Sequence, residues 1–357
     1  MDTTTSEGVP SYGKCQHIVS CFLPQVPLVL LVVGLFYRGY WLLLPAIFLL
    51  LIVPLLDLLT GWQDDVQFRR SDFSSAETFL LRWNTRLYAI FYLAAVIFSL
   101  RFSLRLTPLE IGFLTLSMAL LGGVGFGSAH ELLHERDGFD QLLQRIATLF
   151  LFYPHYKLIH TQSHHAHAAT DHDKNTAWMD ETIYGYILRT IPQSMLRCWE
   201  MEDARISKRT SSGWSRIFKN QMLTFGAGQL VLLAALYLLA GLPGLLFYLG
   251  QVIGAHIVLE SVNYIQHYGL MRERSDGEYE KTGPEHSWDT YHYFSSYSTF
   301  RVGHHSHHHV SANPYYLLGV EPEAPKLPVG YFWAIPVVLV PPFWHRLINP
   351  KLCPQPA

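Results

Sequence analysis

The chain has 357 residues, 50% of them hydrophobic and 15% charged, with a formal net charge of −2. The near-neutral balance excludes the basic face that a nucleic-acid partner needs. Low charge with long apolar runs excludes a disordered chain and an ordinary soluble globule. Four cysteines (Cys15, Cys21, Cys198 and Cys353) are too scattered for a disulfide framework and form no C-x-x-C pair. Any metal therefore falls to the 19 histidines.

In chain order, the apolar stretches predict six membrane-spanning helices in three hairpins, because a span needs about 18 or more mostly apolar residues. The first pair covers about 24–37 and 40–62, split at Arg38-Gly39, and its first member is short. The second covers about 87–100 and 109–127, joined by a link with Arg101 and Arg105. The third covers about 222–240 and 242–262, hinged at Gly241-Leu242-Pro243-Gly244. The N-terminus lacks a basic segment and a small-residue cleavage site, so no cleaved signal peptide is expected. With no internal repeat, residues 1–357 read as one all-α, membrane-embedded domain. Its six spans carry a helical cap made of 128–221 and 263–357.

Charge then sets orientation. With six spans, the N-terminus, the 63–85 loop, 129–221 and everything after 262 share one side. That side holds 22 of the 26 Lys and Arg, and the opposite side only Arg38, Arg101 and Arg105. The positive-inside rule makes the rich side cytoplasmic, N-in and C-in. Within the cap, 183–200 has helical periodicity and is expected along the membrane surface. Residues 201–221 read as a linker with a helix, and 272–286 as a charged loop. The stretch 331–347 is interrupted by Pro336, Pro341 and Pro342 and is expected to pack as a partly buried tail.

Seventeen of the histidines fall between residues 130 and 309, on the cytoplasmic side by this reading. His130-Glu131-Leu132-Leu133-His134 ends the fourth span, and i, i+4 spacing puts both rings on one helix face. His160-x-x-x-His164-His165 follows. His267 lies just past the sixth span, and a dense run covers His304, His305, His307, His308 and His309. Isolated histidines (His17, His155, His256 and His345) read as exposed or hydrogen-bonded side chains. Imidazole suits zinc, copper, iron and nickel alike, so the ligand type does not name the metal. A zinc site closes with about four ligands, and about nine clustered histidines imply two metals.

These residues resemble the membrane-bound alkane hydroxylase family, the di-iron alkane 1-monooxygenases. That family is related to xylene monooxygenase and more distantly to the membrane fatty-acid desaturases and hydroxylases. The resemblance runs from about residue 50 to 350. It rests on Pro54-Leu55-Leu56-Asp57-Leu58-Leu59-x-Gly61 and the His130–His134 box with Phe139-Asp140. The box at His160 with Ala168-Ala169-Thr170-x-x-Asp173, the 263–270 motif NYIQHYGL, and His286-Ser287-Trp288-Asp289 before the last box complete it. It implies nine iron ligands at His130, His134, His160, His164, His165, His267, His305, His308 and His309. The last box departs from the family pattern H-S-D-H-H preceded by arginine, since His304 and His307 stand at those two positions. A register shifted by one, using His304, His307 and His308, therefore stays open.

Neutral imidazoles leave two ferrous ions their full charge, so carboxylates are expected to orient the rings. Glu131, Asp173, Glu260 and Asp289 are the candidates, with helix caps and surface ion pairs as the plainer alternative for each. Asp57 reads as a helix-end residue. Leu49 aligns with a channel position that is bulky in some relatives, although a packing leucine is the simpler account.

An alkane C–H bond offers no acid, base or leaving group, so the chemistry needs a metal that activates dioxygen. The resemblance implies two iron ions, O2 as co-substrate and terminal hydroxylation of medium- or long-chain alkanes. No flavin, nicotinamide or Fe–S motif is present, so two electrons must come from outside the chain, and the resemblance implies a rubredoxin or ferredoxin and its NAD(P)H-dependent reductase as their source. The absent C-x-x-C and the end at Ala357 predict that no rubredoxin is fused. A fatty-acyl or hydrocarbon desaturase with the same site is the main alternative. An intramembrane zinc protease, from His130-Glu131-x-x-His134, and a metal transporter are remoter ones. The protease leaves seven clustered histidines unexplained, and a transporter would carry its ligands near the bilayer midplane.

Overall fold

The computed structural model describes residues 11–62, 67–208, 213–311 and 313–352. The extreme N-terminus, the end with Cys353 and Ala357, and the middle of the 201–221 linker lie outside the described residues. The protein is helical, apart from one two-stranded ribbon and two isolated β-bridges among the described residues. Among the described residues, five helices are long and apolar enough to cross a membrane: Gly13–Tyr37, Gly39–Thr60, Ser75–Ser103, Pro108–His134 and Gln221–His267.

The first of these begins well before residue 24. α1 (Ser11–Ser20) passes through a 3₁₀ turn at Leu23–Gln25 into α2 (Val26–Tyr37). Pro24 and Pro27 occupy first-turn positions, where a missing N–H costs nothing, so they permit the continuation. The second stretch contains a π-helical turn, Phe48–Ile52, before α3 (Val53–Thr60), which stops at Gly61 with φ +67. α4 (Ser75–Ser103) and α5 (Pro108–His134) start on capping boxes, Ser74 with Glu77 and Thr107 with Glu110. Both run past the expected 87–100 and 109–127. Hydropathy marks only their apolar middles, while their polar ends continue helical into the cap.

The cap begins with α6 (Gly138–Phe150), capped by Asp137, and α7 (Tyr156–Ile159), which opens into a π-turn at His160–His164. α8 (Ile183–Ser207) buries Tyr186, Thr190, Ser194 and Cys198 and exposes Tyr184, Leu188, Met195 and Leu196. α9 (Gly213–Lys219) leads into α10 (Gln221–His267). α10 is interrupted at Gly241, whose φ of 63 and ψ of −169 are not helical, with Pro243 just beyond.

After α10 the 272–286 segment is more ordered than a loop. β1 (Arg274–Ser275) pairs antiparallel with β2 (Glu278–Tyr279) around Gly277. α11 (Tyr293–Ser298) and α12 (His305–Val310) follow. The proline-broken tail forms α13 (Tyr331–Val338) and α14 (Pro341–Leu352), with Trp344 and Ile348 fully buried.

The core lies between α5 and α10, which approach so closely that larger residues would not fit. A Cβ on Gly123 would collide with Val258 Cγ1, and one on Gly254 would meet Ala119 Cβ at 2.5 Å. Small residues are what lets helices touch in a lipid environment. Polar ties hold the cap to the bundle. Arg86 grips the buried Asp140 carboxylate with Nε at 2.6 Å and a terminal nitrogen at 2.9 Å. Asp57, also buried, accepts the backbone N–H of Phe294 at 2.8 Å and of Ser295 at 3.1 Å. It thus caps α11 from a distant part of the chain, a helix-end role served across space.

Candidate metal centre

Four helix ends deliver the clustered histidines to one place. His130 and His134 come from the last turn of α5, and His267 from the last residue of α10. His305, His308 and His309 lie on α12, one to four residues apart. His160 and His164 sit in the π-turn, with His165 directly after it. A π-turn widens the helix by one residue, and such turns recur at functional sites.

The structure brings these rings into two groups. His130, His134, His160 and His308 form one; His164, His267, His305 and His309 form the other. In each, ligand nitrogens lie within 4.8 Å of one another. His165 stands between them. Its Nε2 is 3.0 Å from His160 Nε2 and 3.1 Å from His308 Nε2, and its ring centroid is 4.9 Å from that of His309. Further Nε2 pairs measure 3.1 Å for His130 and His308, 3.2 Å for His134 and His160, and 3.0 Å for His305 with both His267 and His309. Nitrogens about 2 Å from a common ion are spaced by about this much. The Nδ1 atoms of His267, His305, His308 and His309 are buried with no hydrogen-bond partner among the described residues. Rings turned inward on Nε2, with little else to bond, suit a metal better than a hydrogen-bonded histidine core.

Burial keeps several of these rings in the form a metal requires. Burial first, then neighbouring imidazoles, pushes His165 down to about 3 and holds His160, His305, His308 and His309 well below their ordinary value. Neutral imidazole is the ligating form.

The two surplus histidines of the last box face elsewhere. His304 is fully buried, with Nδ1 2.8 Å from the Gly319 carbonyl and Nε2 3.1 Å from Ser296 Oγ. His307 pairs through Nδ1 with Glu321 Oε1 at 2.8 Å. His305, His308 and His309 are therefore the three that turn toward the other clusters. The isolated histidines stay apart: His17 bonds the Tyr316 carbonyl and His256 the Leu151 carbonyl, both at 2.9 Å.

The four candidate carboxylates separate in space. Asp173 bonds His164 Nδ1 at 2.9 Å and also takes the Asn175 N–H at 3.1 Å. Burial, the largest single influence, opposes its charge, but His164, His267 and the Asn175 N–H together hold its carboxyl below the usual range. Glu131 lies 3.7 Å from His130 Nδ1 and accepts the Tyr315 N–H at 2.9 Å. Asp289 instead accepts the Ser306 N–H at 2.8 Å and the Tyr291 hydroxyl at 2.7 Å, so it caps α12 and meets no imidazole directly. Buried Glu260 accepts from Asn263 at 3.4 Å.

A narrow cavity of about 50 Å³ adjoins the histidines, with His130, His160, His164 and His305 in its wall. Val258, Val262, Phe332 and Ile335 supply much of the rest. Leu49 does not line it; it is fully buried in the main core within the π-turn of the second stretch. Three contributors escaped the sequence. Glu321 is revealed only by its contact with His307. Phe300 and Arg301 are consecutive non-glycine residues with φ near +50, and they turn the chain into the last box. Phe300 packs edge-on against Tyr88 and Tyr315, which secures that strained turn to α4.

The fatty acid desaturase family model matches residues 106–319, which contain all nine histidines. Alkane 1-monooxygenase of Ectopseudomonas oleovorans is 36% identical over 246 residues, covering 68% of this chain and 61% of its own length. Alkane 1-monooxygenase of Pseudomonas putida is 35% identical, covering 68% and 60%. The xylene/toluene monooxygenase hydroxylase component XylM of Pseudomonas putida is 28% identical, covering 69% and 65%. The chain spans about three fifths of the length of the two alkane 1-monooxygenases.

Proposed function

Because the chain belongs to the fatty acid desaturase family, we propose that it is a membrane-bound di-iron monooxygenase acting on alkanes. It hydroxylates the terminal carbon of medium- or long-chain alkanes to primary alcohols. The observation that carries this reading is the pair of histidine groups set against an apolar cavity. Its alkane 1-monooxygenase relatives support the substrate class. The proposed ligands are His130, His134, His160, His164, His165, His267, His305, His308 and His309, too many for one four-coordinate ion. Bound iron would supply the activation of dioxygen that no side chain can perform.

The chain's own residues do the remainder. Val258, Val262, Phe332 and Ile335 hold the hydrocarbon end by apolar contact and keep water out. Asp173 fixes the tautomer and orientation of His164 by taking its Nδ1 proton in a hydrogen bond. Glu131 braces the first box, Asp289 holds the start of α12, and Glu260 acts through Asn263. Each turnover consumes O2, two electrons and two protons and yields the alcohol and water. The electrons come from outside the chain, from a rubredoxin or ferredoxin and its NAD(P)H-dependent reductase.

The membrane arrangement follows from length and charge. α10 has 47 residues, about 70 Å at 1.5 Å per residue, against a hydrocarbon core of about 30 Å. We read it as two spans hinged at Gly241, giving six in one catalytic domain. Both termini and the histidine cap then face the cytoplasm, with α8 lying on the membrane surface by its row of Tyr184, Leu188, Met195 and Leu196.

Metal content and product test the reading together. Two irons per chain, and 1-octanol carrying oxygen from ¹⁸O2 when octane and an electron source are supplied, are the expected results. A single zinc, or activity without metal, overturns it. Recovery of an alkene favours desaturation, the second reading that the matched family supports.

A further inference from the structure

Apart from its histidines, the narrow cavity has four polar residues in its wall: Tyr156, Asn263, Gln266 and Thr299. Two are already engaged by the fold. The Gln266 amide donates to the Val302 carbonyl at 3.2 Å and to the Tyr331 hydroxyl at 2.9 Å. The Thr299 hydroxyl donates to the Ser295 carbonyl at 2.8 Å. Asn263 differs from both. Its Nδ2 donates to Glu260 Oε2 at 3.4 Å, one helical turn back on α10. That contact sets the nitrogen end of the amide toward Glu260. Asn263 Oδ1 is left with no donor among the described residues. The Tyr156 hydroxyl likewise has no hydrogen-bond partner there, and its ring packs 5.6 Å from that of His160.

An alkane offers such groups nothing, because it neither donates nor accepts. A hydroxyl does both. We propose that Asn263 Oδ1 and the Tyr156 hydroxyl form a seat for the hydroxyl of a primary alcohol. Asn263 accepts the alcohol proton and Tyr156 donates to the alcohol oxygen, with Glu260 as the positioning residue. The inference rests on the hydrocarbon reading of the cavity and deepens it: the site distinguishes product from substrate by one polar pair. A polar group left unpaired in an apolar pocket penalises the ligand that cannot satisfy it.

The test uses the full-length, metal-free protein in nanodiscs, with [1-¹³C]1-octanol binding followed by NMR and n-octane as competitor. In Asn263→Leu the 1-octanol Kd is expected to rise about fivefold, the worth of one hydrogen bond, with n-octane competition unchanged. Tyr156→Phe, which keeps the ring, is expected to move it in the same direction and serves if Asn263→Leu does not fold. Absence of 1-octanol binding to the unaltered protein, or equal loss of both ligands in the variants, overturns the seat. If iron-loaded protein makes no alcohol while 1-octanol binding still depends on Asn263, the seat stands and the hydroxylase reading falls.

Discussion

Asp173 is where one side chain has the clearest leverage, because it alone among the four candidate carboxylates hydrogen-bonds a clustered imidazole. Asp173→Asn should weaken metal affinity by about ten- to a hundredfold, read by competition with a chelator. Asp289→Asn should act instead through the mobility of α12. The last box makes a sharper comparison. His309→Ala should lower metal stoichiometry, whereas His304→Ala should leave it intact and lower stability, since His304 bonds Gly319 and Ser296. Equal metal loss in both variants would reopen the shifted register. Two histidines away from the cluster contribute to acid sensitivity. Burial, followed by His256, pushes His155 down to about 4, and burial pushes His292 to about 4. Both accept a proton near pH 6.5 when unfolded but stay neutral in the fold until about pH 4. The unfolded chain therefore binds more protons across that window, and stability falls as pH drops through it. The thermal midpoint of the metal-free protein should decline from pH 6.5 to 4, and His155→Gln should flatten that slope.

Elements carry a different kind of constraint. The α5–α10 seam depends on Gly123 and Gly254, and Gly123→Leu would drive its side chain into Val258. Overpacking of this kind costs about 1–3 kcal/mol, so the variant should unfold at lower temperature and release metal with it. The existence of α4, α5 and α10 was legible from hydropathy, since apolar side chains of sufficient length leave a bundle no other arrangement in lipid. Their ends were not. The polar turns at Ser75–Arg86 and Ala129–His134 stay helical because capping and cap packing continue the backbone hydrogen bonds, and neither leaves an apolar trace. The π-turn at His160–His164 was equally hidden. H-x-x-x-H-H reads as an ordinary helix, and nothing in that spacing marks the wider winding that the chain adopts there.

At the scale of the whole molecule, orientation is the consequence most open to experiment. In a cysteine-free background, single cysteines at Gly39 and Leu242 should label from one side of the membrane. Cysteines at Asp171 and Asp276 should label from the other. Labelling of Leu242 together with Asp171 would remove the hinge at Gly241 and with it the six-span arrangement.

Composition and spacing determined by themselves that this is a helical protein with apolar runs long enough to cross a membrane and with grouped histidines. Apolar runs, positive charge and i, i+4 pairs are local quantities that can be read along the chain. Tertiary structure decided which histidine joins which group. His130 and His308, or His267 and His305, become neighbours only when distant helix ends converge, and no local rule encodes that. It likewise separated His304 and His307 from their near-identical neighbours. A six-residue helix has room to turn only some of its rings toward the other clusters, and Gly319, Ser296 and Glu321 wait on the remaining faces.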